Sequence, residues 1–210
     1  MQLILASSSP RRKELLALLS LAFEVCPSDV EEQPTAGWSP ITQVTQFALA
    51  KARAVAQVRR EAFVLGCDTV IELDGQLLRK PRDLDEARTM LARLAGRSHL
   101  VHTAVVLCHC DRGIESMEVA TTGVQMKADD GQSYERYLAT RESLGKAGSY
   151  AIQGAGGVLI DHIDGDYTTV VGLPLRLVAN LLRSVSYSVP VNVEELYQRK
   201  PYANWRQFAA

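Results

Sequence analysis

The chain has 210 residues, 23 Lys and Arg against 24 Asp and Glu, and a formal net charge of −1. Apolar residues at 47% and charged residues at 22% exclude a disordered chain. No run reaches the ~18 uncharged apolar residues of a membrane span, and the charge balance excludes a globally basic nucleic-acid binder. At about 150 residues per domain this length covers one to two domains, with enough buried surface to fold without disulfide or metal. A soluble protein of a reducing cytoplasm, with no nucleic-acid or membrane partner, is the expectation.

The pattern alternates strands with helices and hairpins, so the class is α/β or α+β. Leu3 to Ala6 reads as a short apolar strand, Ser7-Ser8-Ser9 as a loop, and Pro10 as the first turn of a helix capped by Ser9. A second helix covers about Ile41 to Arg60. Val64 to Leu73 is a strand turned by Asp74-Gly75 into a short partner, Gln76 to Arg79. Asp83 and Glu86 have the spacing of a capping box before a helix that ends near Gly96. Strands follow at about His99 to Cys110 and Ile114 to Met126, joined by Asp111-Arg112-Gly113. Ser133 is placed to cap a helix through Thr140. A strand near Val158 to Ile163 turns at Asp164-Gly165, and Leu175 to Val185 is a helix. From Ser186 on, the chain is a tail containing Pro190 and Pro201, with room for one or two helical turns.

Two features imitate function. Arg11, Arg12 and Lys13 before an apolar stretch resemble a secretory signal, but an apolar strand precedes them and Glu14 and Ser20 interrupt the pattern. Cys108-His109-Cys110 resembles a metal site, but a strand places its two thiols on one face and the imidazole on the other. With Cys26 and Cys67 far away in sequence, all four cysteines read as buried free thiols.

The informative positions are polar residues where packing alone would want something else. Arg12 shares the face of Leu15, Leu16 and Leu19 and sits with Arg11 and Lys13 at the positive end of the helix dipole. Cations there are disfavoured by about 0.3–1 kcal/mol each when exposed. A bound anion and a solvated basic turn explain them equally well. Lys51 fills the vacant place in an apolar stripe of Ile41, Val44, Ala48, Val55 and Val58, where an ammonium needs water or an anion. Asp68 stands inside a strand that is apolar on both faces, so its carboxylate must be paired, hold a metal or accept a proton. Glu31-Glu32 lie on a loop. Pro81 biases Lys80 to extended backbone, and Gln153 opens a glycine-rich stretch with Gly154, Gly156 and Gly157. Together, Arg12, Lys51 and Lys80 for phosphates, with Asp68 and Glu32 for a metal or a proton, are the equipment of phosphoryl transfer. No Walker A, kinase, zincin or G-x-S-x-G motif is present.

The blocks L-I-L-A-S-S-S-P-R-R-K-E-L-L at the start, E-E-Q at 31–33, A-K-A at 50–52, G-C-D-T-V at 66–70, K-P-R-D at 80–83, A-G-S-Y-A-I-Q-G at 147–154 and V-V-G-L-P at 170–174 resemble the Maf family. These are nucleoside triphosphate pyrophosphatases, which release the monophosphate and pyrophosphate. The resemblance covers about Leu3 to Val185, which implies a Maf-like domain over 1–185 and a C-terminal tail over 186–210. It implies an elongated mixed-sheet α/β fold of the Maf/ITPase-like kind with a central nucleotide-binding cleft. It also implies a divalent cation, Mg²⁺ or Mn²⁺, together with homodimeric assembly and a cytoplasmic location. Asp68 matches the proton acceptor, and Arg12, Glu32, Lys51 and Lys80 match polar active-site positions. Ser7 and Ser9 belong to the implied phosphate-binding loop, and Glu32 and Asp68 to the implied metal site. Arg11, Thr69 and Gln153 agree with the branch acting on dTTP and UTP rather than on 7-methyl-GTP.

The chain departs from the family at Gln46 and Ala50, where Arg and Glu are common, at Arg79 for Glu, and at Gly145 for Asp. The expected chemistry is attack of water on the α-phosphorus of a pyrimidine nucleoside triphosphate, with Asp68 taking the proton. The alternative is a nucleotide-binding regulator that keeps the pocket without efficient hydrolysis; the lost carboxylates favour it slightly, and the retained Asp68, Glu32, Lys51 and Lys80 count against it. Asp68 and Thr69 pose a geometric problem, since a regular strand points them to opposite sides.

Overall fold

The structure is a computed structural model and describes residues 1–208. Helix starts follow the expected chemistry. In α1 (Pro10–Ala17) and α2 (Pro40–Val58) a serine precedes a proline. Ser9 Oγ accepts from the Arg12 N–H, and Ser39 Oγ from the Thr42 N–H. These bonds satisfy N–H groups that a helix start leaves unpaired, and proline has no N–H to lose there. Asp83 caps α3 (Leu84–Leu94) through the Glu86 N–H, while Glu86 reaches back to the Arg82 N–H, one residue before the cap. The helix α4 (Ser133–Ala139) corrects the expected cap. Ser133 is its first residue, and the Asp130 carboxylate accepts from the Gln132 N–H, the Ser133 N–H and the Ser133 hydroxyl. An aspartate three residues upstream does what the serine was expected to do.

The strands are β1 (Leu3–Ala6), β2 (Glu24–Val25), β3 (Phe63–Leu73), β4 (Gln76–Leu78), β5 (Ser98–His109), β6 (Ile114–Met126) and β7 (Ile160–Asp164). They form one mixed seven-stranded sheet in the order β2-β1-β3-β5-β6-β7, with β4 on β3. β1 is parallel to both neighbours, and its Leu5 and Ala6 lie opposite Leu65 and Gly66 of β3. β3 and β4 are antiparallel through Asp74 and Gly75, both at positive φ as a tight hairpin turn requires. β6 and β7 are antiparallel, with a register shift at Gln125/Met126. β1 is buried along its length, and β3 is buried except at Thr69 and Glu72, so both read as apolar runs rather than alternating ones.

Five short elements escape the sequence pattern: β2, the helix α5 (Tyr167–Val171) and the 3₁₀ turns at Cys110–Arg112, Ala147–Ser149 and Ala155–Leu159. The last of these delays β7 to Ile160, two residues after the expected start. The first takes Cys110 out of β5, so it does not share a strand face with Cys108. All four cysteines are free, but only Cys67 and Cys108 are buried; Cys26 and Cys110 are half-exposed, which corrects the uniform expectation. The stripe proposed for α2 is also narrower than expected, because Ile41 and Val58 are exposed. After α6 (Leu175–Ser184) the tail forms α7 (Val193–Arg199) and α8 (Ala203–Phe208).

The chain divides into two compact units, each assembled from three segments. The first contains residues 1–69, 103–120 and 172–199; the second contains 70–102, 121–171 and 200 onward. β3, β5 and β6 each carry the chain from one unit into the other. In the first unit Phe63 meets His109 and Tyr187 edge-on, so the beginning of the tail is part of that core. In the second, Tyr167 stacks on the buried Trp205 of α8. No helix of the described residues is long and apolar enough to cross a membrane.

Candidate active site

A buried charge cluster occupies the first unit. Lys51 on α2 and Asp68 on β3 are only 8% and 4% exposed, and Lys51 Nζ donates to Asp68 Oδ1 at 2.6 Å and to Glu32 Oε1 at 2.5 Å. The backbone brings them together at Gly66. A Cβ on Gly66 would lie 2.7 Å from Cβ and N of Ala52 and would clash with the Ala48 carbonyl. Glycine on the strand and alanines four apart on the helix therefore let α2 lie directly on β3, with Lys51 one residue from that contact.

Burial pushes the Asp68 carboxyl above the usual carboxylate range, opposed by the Lys51 ammonium and the Arg12 guanidinium and assisted by the Glu32 carboxylate. A carboxyl held this way can exchange a proton nearer neutrality than a solvated aspartate, which a general base requires. Glu32 and Asp68 converge on one ammonium and supply two hard oxygen donors, the ligand type that Mg²⁺ and Mn²⁺ prefer alongside phosphate oxygens. Among the described residues no group of three or more His, Cys, Asp or Glu is placed to hold a metal ion on its own.

Arg12 on α1 turns inward rather than into solvent. Its Nε donates to the Gly172 carbonyl at 2.9 Å, Nη1 to Ser7 Oγ at 3.2 Å and Nη2 to Thr69 Oγ1 at 3.1 Å. Thr69 Oγ1 also shares a hydrogen bond of 2.9 Å with Thr103 Oγ1 on β5. Asp68 and Thr69, adjacent on β3, take different partners: Asp68 accepts from Lys51 and Thr69 from Arg12, whose charge also acts on Asp68. Ser7 is buried, Ser9 is spent on the cap of α1, Arg11 is half-buried and Lys13 is exposed.

The first unit thus gathers Ser7, Ser9, Arg11, Arg12, Glu32, Lys51, Asp68 and Thr69. Lys80 and Gln153 belong to the second unit. Lys80 is exposed just after β4, and the Gly148 N–H bonds the carbonyl of the preceding Arg79. Gln153 is half-buried, ahead of the 3₁₀ turn at Ala155–Leu159. Of the four departures, Gln46 and Arg79 are exposed and Ala50 is half-buried. Gly145 sits at φ +72°, a conformation that favours glycine over the expected aspartate.

Sequence reasoning assigned no role to Gly172 and Thr103. Gly172 has φ +114°, and a Cβ there would lie 3.1 Å from Thr69 Oγ1. The signal for Gly172 was available in the V-V-G-L-P block. Thr103 gave none, because a threonine in a strand is ordinary.

Known proteins resemble the chain in sequence and in fold. The chain is 43% identical over 190 residues to a dTTP/UTP pyrophosphatase of Pelotomaculum thermopropionicum, covering 90% of this chain and 98% of that one. It is 47% identical over 179 residues to a dTTP/UTP pyrophosphatase of Bacillus cytotoxicus, covering 85% and 93%. In fold it is similar to the Ham1 protein of Staphylococcus aureus, with a TM-score of 0.53 at 14% identity over 89% of this chain and 98% of that one. Residues 2–185 match the family described as Maf-like protein, and the chain belongs to that family.

Proposed function

We propose that this protein hydrolyses dTTP and UTP between the α- and β-phosphates, releasing the nucleoside monophosphate and pyrophosphate. The observation that carries the reading is the buried Lys51–Asp68 pair joined to Glu32, in a chain whose relatives bear the name dTTP/UTP pyrophosphatase. Asp68 Oδ accepts the proton of the water that attacks the α-phosphorus, and its raised pKa suits that transfer. Lys51 orients the Asp68 carboxylate and adds positive charge. Arg12 and Lys80 balance the triphosphate and the leaving pyrophosphate, and the Ser7–Ser9 loop receives phosphate oxygens. Glu32 and Asp68 would hold Mg²⁺ or Mn²⁺, which when bound neutralises phosphate charge. Arg11, Thr69 and Gln153 read the base, whose donor and acceptor edge suits an amide and a hydroxyl.

The same reading takes residues 1–185 as the catalytic domain, 186–210 as an extension, and a cytoplasmic homodimer as the working form. Four free thiols suit a reducing compartment. The test is pyrophosphate release from dTTP, UTP, CTP, GTP and 7-methyl-GTP with Mg²⁺, Mn²⁺ or chelator. Turnover of dTTP and UTP that chelator abolishes is the expected result. Silence on every substrate while UTP still raises the melting temperature would replace this reading with that of a nucleotide-binding regulator.

A further inference from the structure

The residues after 185 lie outside the stretch matched to the family, yet their last helix grips the segment that carries Gln153. Asn204 on α8 donates from Nδ2 to the Ile152 carbonyl at 2.6 Å and to the Gly154 carbonyl at 3.2 Å. These are the carbonyl oxygens of the two residues that flank Gln153. The approach depends on a glycine, since a Cβ on Gly157 would lie 2.8 Å from Asn204 Nδ2 and 3.0 Å from the Ile152 carbonyl.

The same segment is held from its other end. Glu142 Oε2 accepts from the Ala155 N–H at 2.9 Å, and a Cβ on Gly154 would clash with that carboxylate. Gly156 is packed so closely that a Cβ would come within 2.8 Å of Ala151 backbone atoms. The helix bearing Asn204 is itself anchored: Trp205 is buried, and its ring stacks on Tyr167 with centroids 5.5 Å apart and planes 12° from parallel. Asn204 is therefore a fixed donor beside the backbone of Gln153 rather than a frayed terminal side chain.

We propose that Asn204 is a positioning residue for base recognition: the C-terminal helix holds the backbone carbonyls of the two residues that flank Gln153, so that its amide meets the pyrimidine edge in register. This rests on Gln153 being a base reader. An amide that must match a donor and an acceptor together tolerates little displacement, and a shift of about 1 Å in a positioned group can cost ~10²-fold in rate. An unconstrained Gln153 would still reach a nucleotide, but it would distinguish uracil from cytosine poorly.

The experiment is steady-state kinetics with UTP and CTP on the full chain and on Asn204→Ala, Asn204→Asp, Gln153→Ala and the Asn204→Ala/Gln153→Ala double variant. Asn204→Asp keeps the size of the side chain and removes the donor. Both Asn204 variants are expected to lower the UTP:CTP ratio of kcat/KM by about tenfold, through KM for UTP more than kcat. In the Gln153→Ala background, Asn204→Ala should change the ratio no further. A ratio that collapses in Gln153→Ala but persists in both Asn204 variants overturns the positioning role. Equal losses on UTP and CTP, or additive losses in the double variant, overturn it too and make α8 a purely structural clamp. A ratio untouched by Gln153→Ala instead removes the base-reader premise.

Discussion

Lys51 Nζ and Asp68 Oδ1 lie 2.6 Å apart, both almost wholly buried, and Glu32 closes the pair on its outer side. The pair couples stability to chemistry, because the two side chains that need each other in the fold are the two assigned to the reaction. Removing Lys51 alone strands a buried carboxylate. Lys51→Met should cost about 3 kcal/mol in urea unfolding, and Lys51→Met with Asp68→Leu should recover most of that loss. Neither variant should turn over UTP. If the double variant were no more stable than the single, burial of an unpaired Asp68 would not be the source of the cost.

Asp68→Asn should lower kcat by at least about 10³-fold while the protein still binds UTP, read by thermal shift in the presence of nucleotide. Near-native turnover would mean that another group accepts the proton.

The pH profile offers a test with a definite sign. Glu32 is a negative neighbour that raises the Asp68 pKa, so Glu32→Gln should let Asp68 lose its proton at lower pH. The acid limb of kcat/KM, which reports the base in the free enzyme, should move to lower pH in that variant, even where the plateau falls. An acid limb that stays put or moves upward would detach the limb from Asp68.

A second titration concerns stability alone. His99 is buried, its Nε2 is hydrogen-bonded to the Tyr150 hydroxyl at 2.7 Å, and burial pushes its pKa down to about 4. Since the folded pKa lies below the unfolded value of 6.5, this group's contribution is complete above pH 6.5. It is lost as the pH falls toward 4, for up to about 3 kcal/mol. Chemical denaturation at pH 7 and pH 4.5 should show a smaller decrement in His99→Gln, which does not titrate, than in the native chain.

Gly66 sets how closely α2 lies on β3. Gly66→Ala should destabilise by about 1–3 kcal/mol, since the obstructing atoms include backbone, and should raise KM for UTP by displacing Lys51. Calorimetry and kinetics on the same preparation would show whether both effects arise together.

Much of this was legible in the sequence because it rests on local rules. Ser9-Pro10, Asp83 with Glu86, and Asp74-Gly75 announce their caps and turn without help from the rest of the chain. Asp68 was conspicuous because a carboxylate in an apolar strand violates burial rules. What could not be read depends on long-range approach. Nothing near Gly172 in sequence says that its carbonyl takes a hydrogen bond from Arg12. Nothing in Asn204 says that it borders Gln153. The two-residue strand β2 and the five-residue helix α5 are too short for a periodic signal. Asp130 won the cap of α4 from Ser133 because its carboxylate reaches two peptide N–H groups and the Ser133 hydroxyl together.

The bond from Arg12 to the Gly172 carbonyl spans 160 residues of chain, which matters during synthesis. The ribosome makes Ser7, Arg12, Lys51 and Asp68 early, then spends most of the intervening chain on the second unit before it delivers residue 172. At translation rates of about 5–20 residues per second, the first unit waits on the order of 5–20 s with its basic loop unlatched and its Lys51–Asp68 pair without the last segment of its fold. Completion of the first unit is therefore expected late on the nascent chain, and its N-terminal strands are expected clients of chaperones until residues 172–199 arrive.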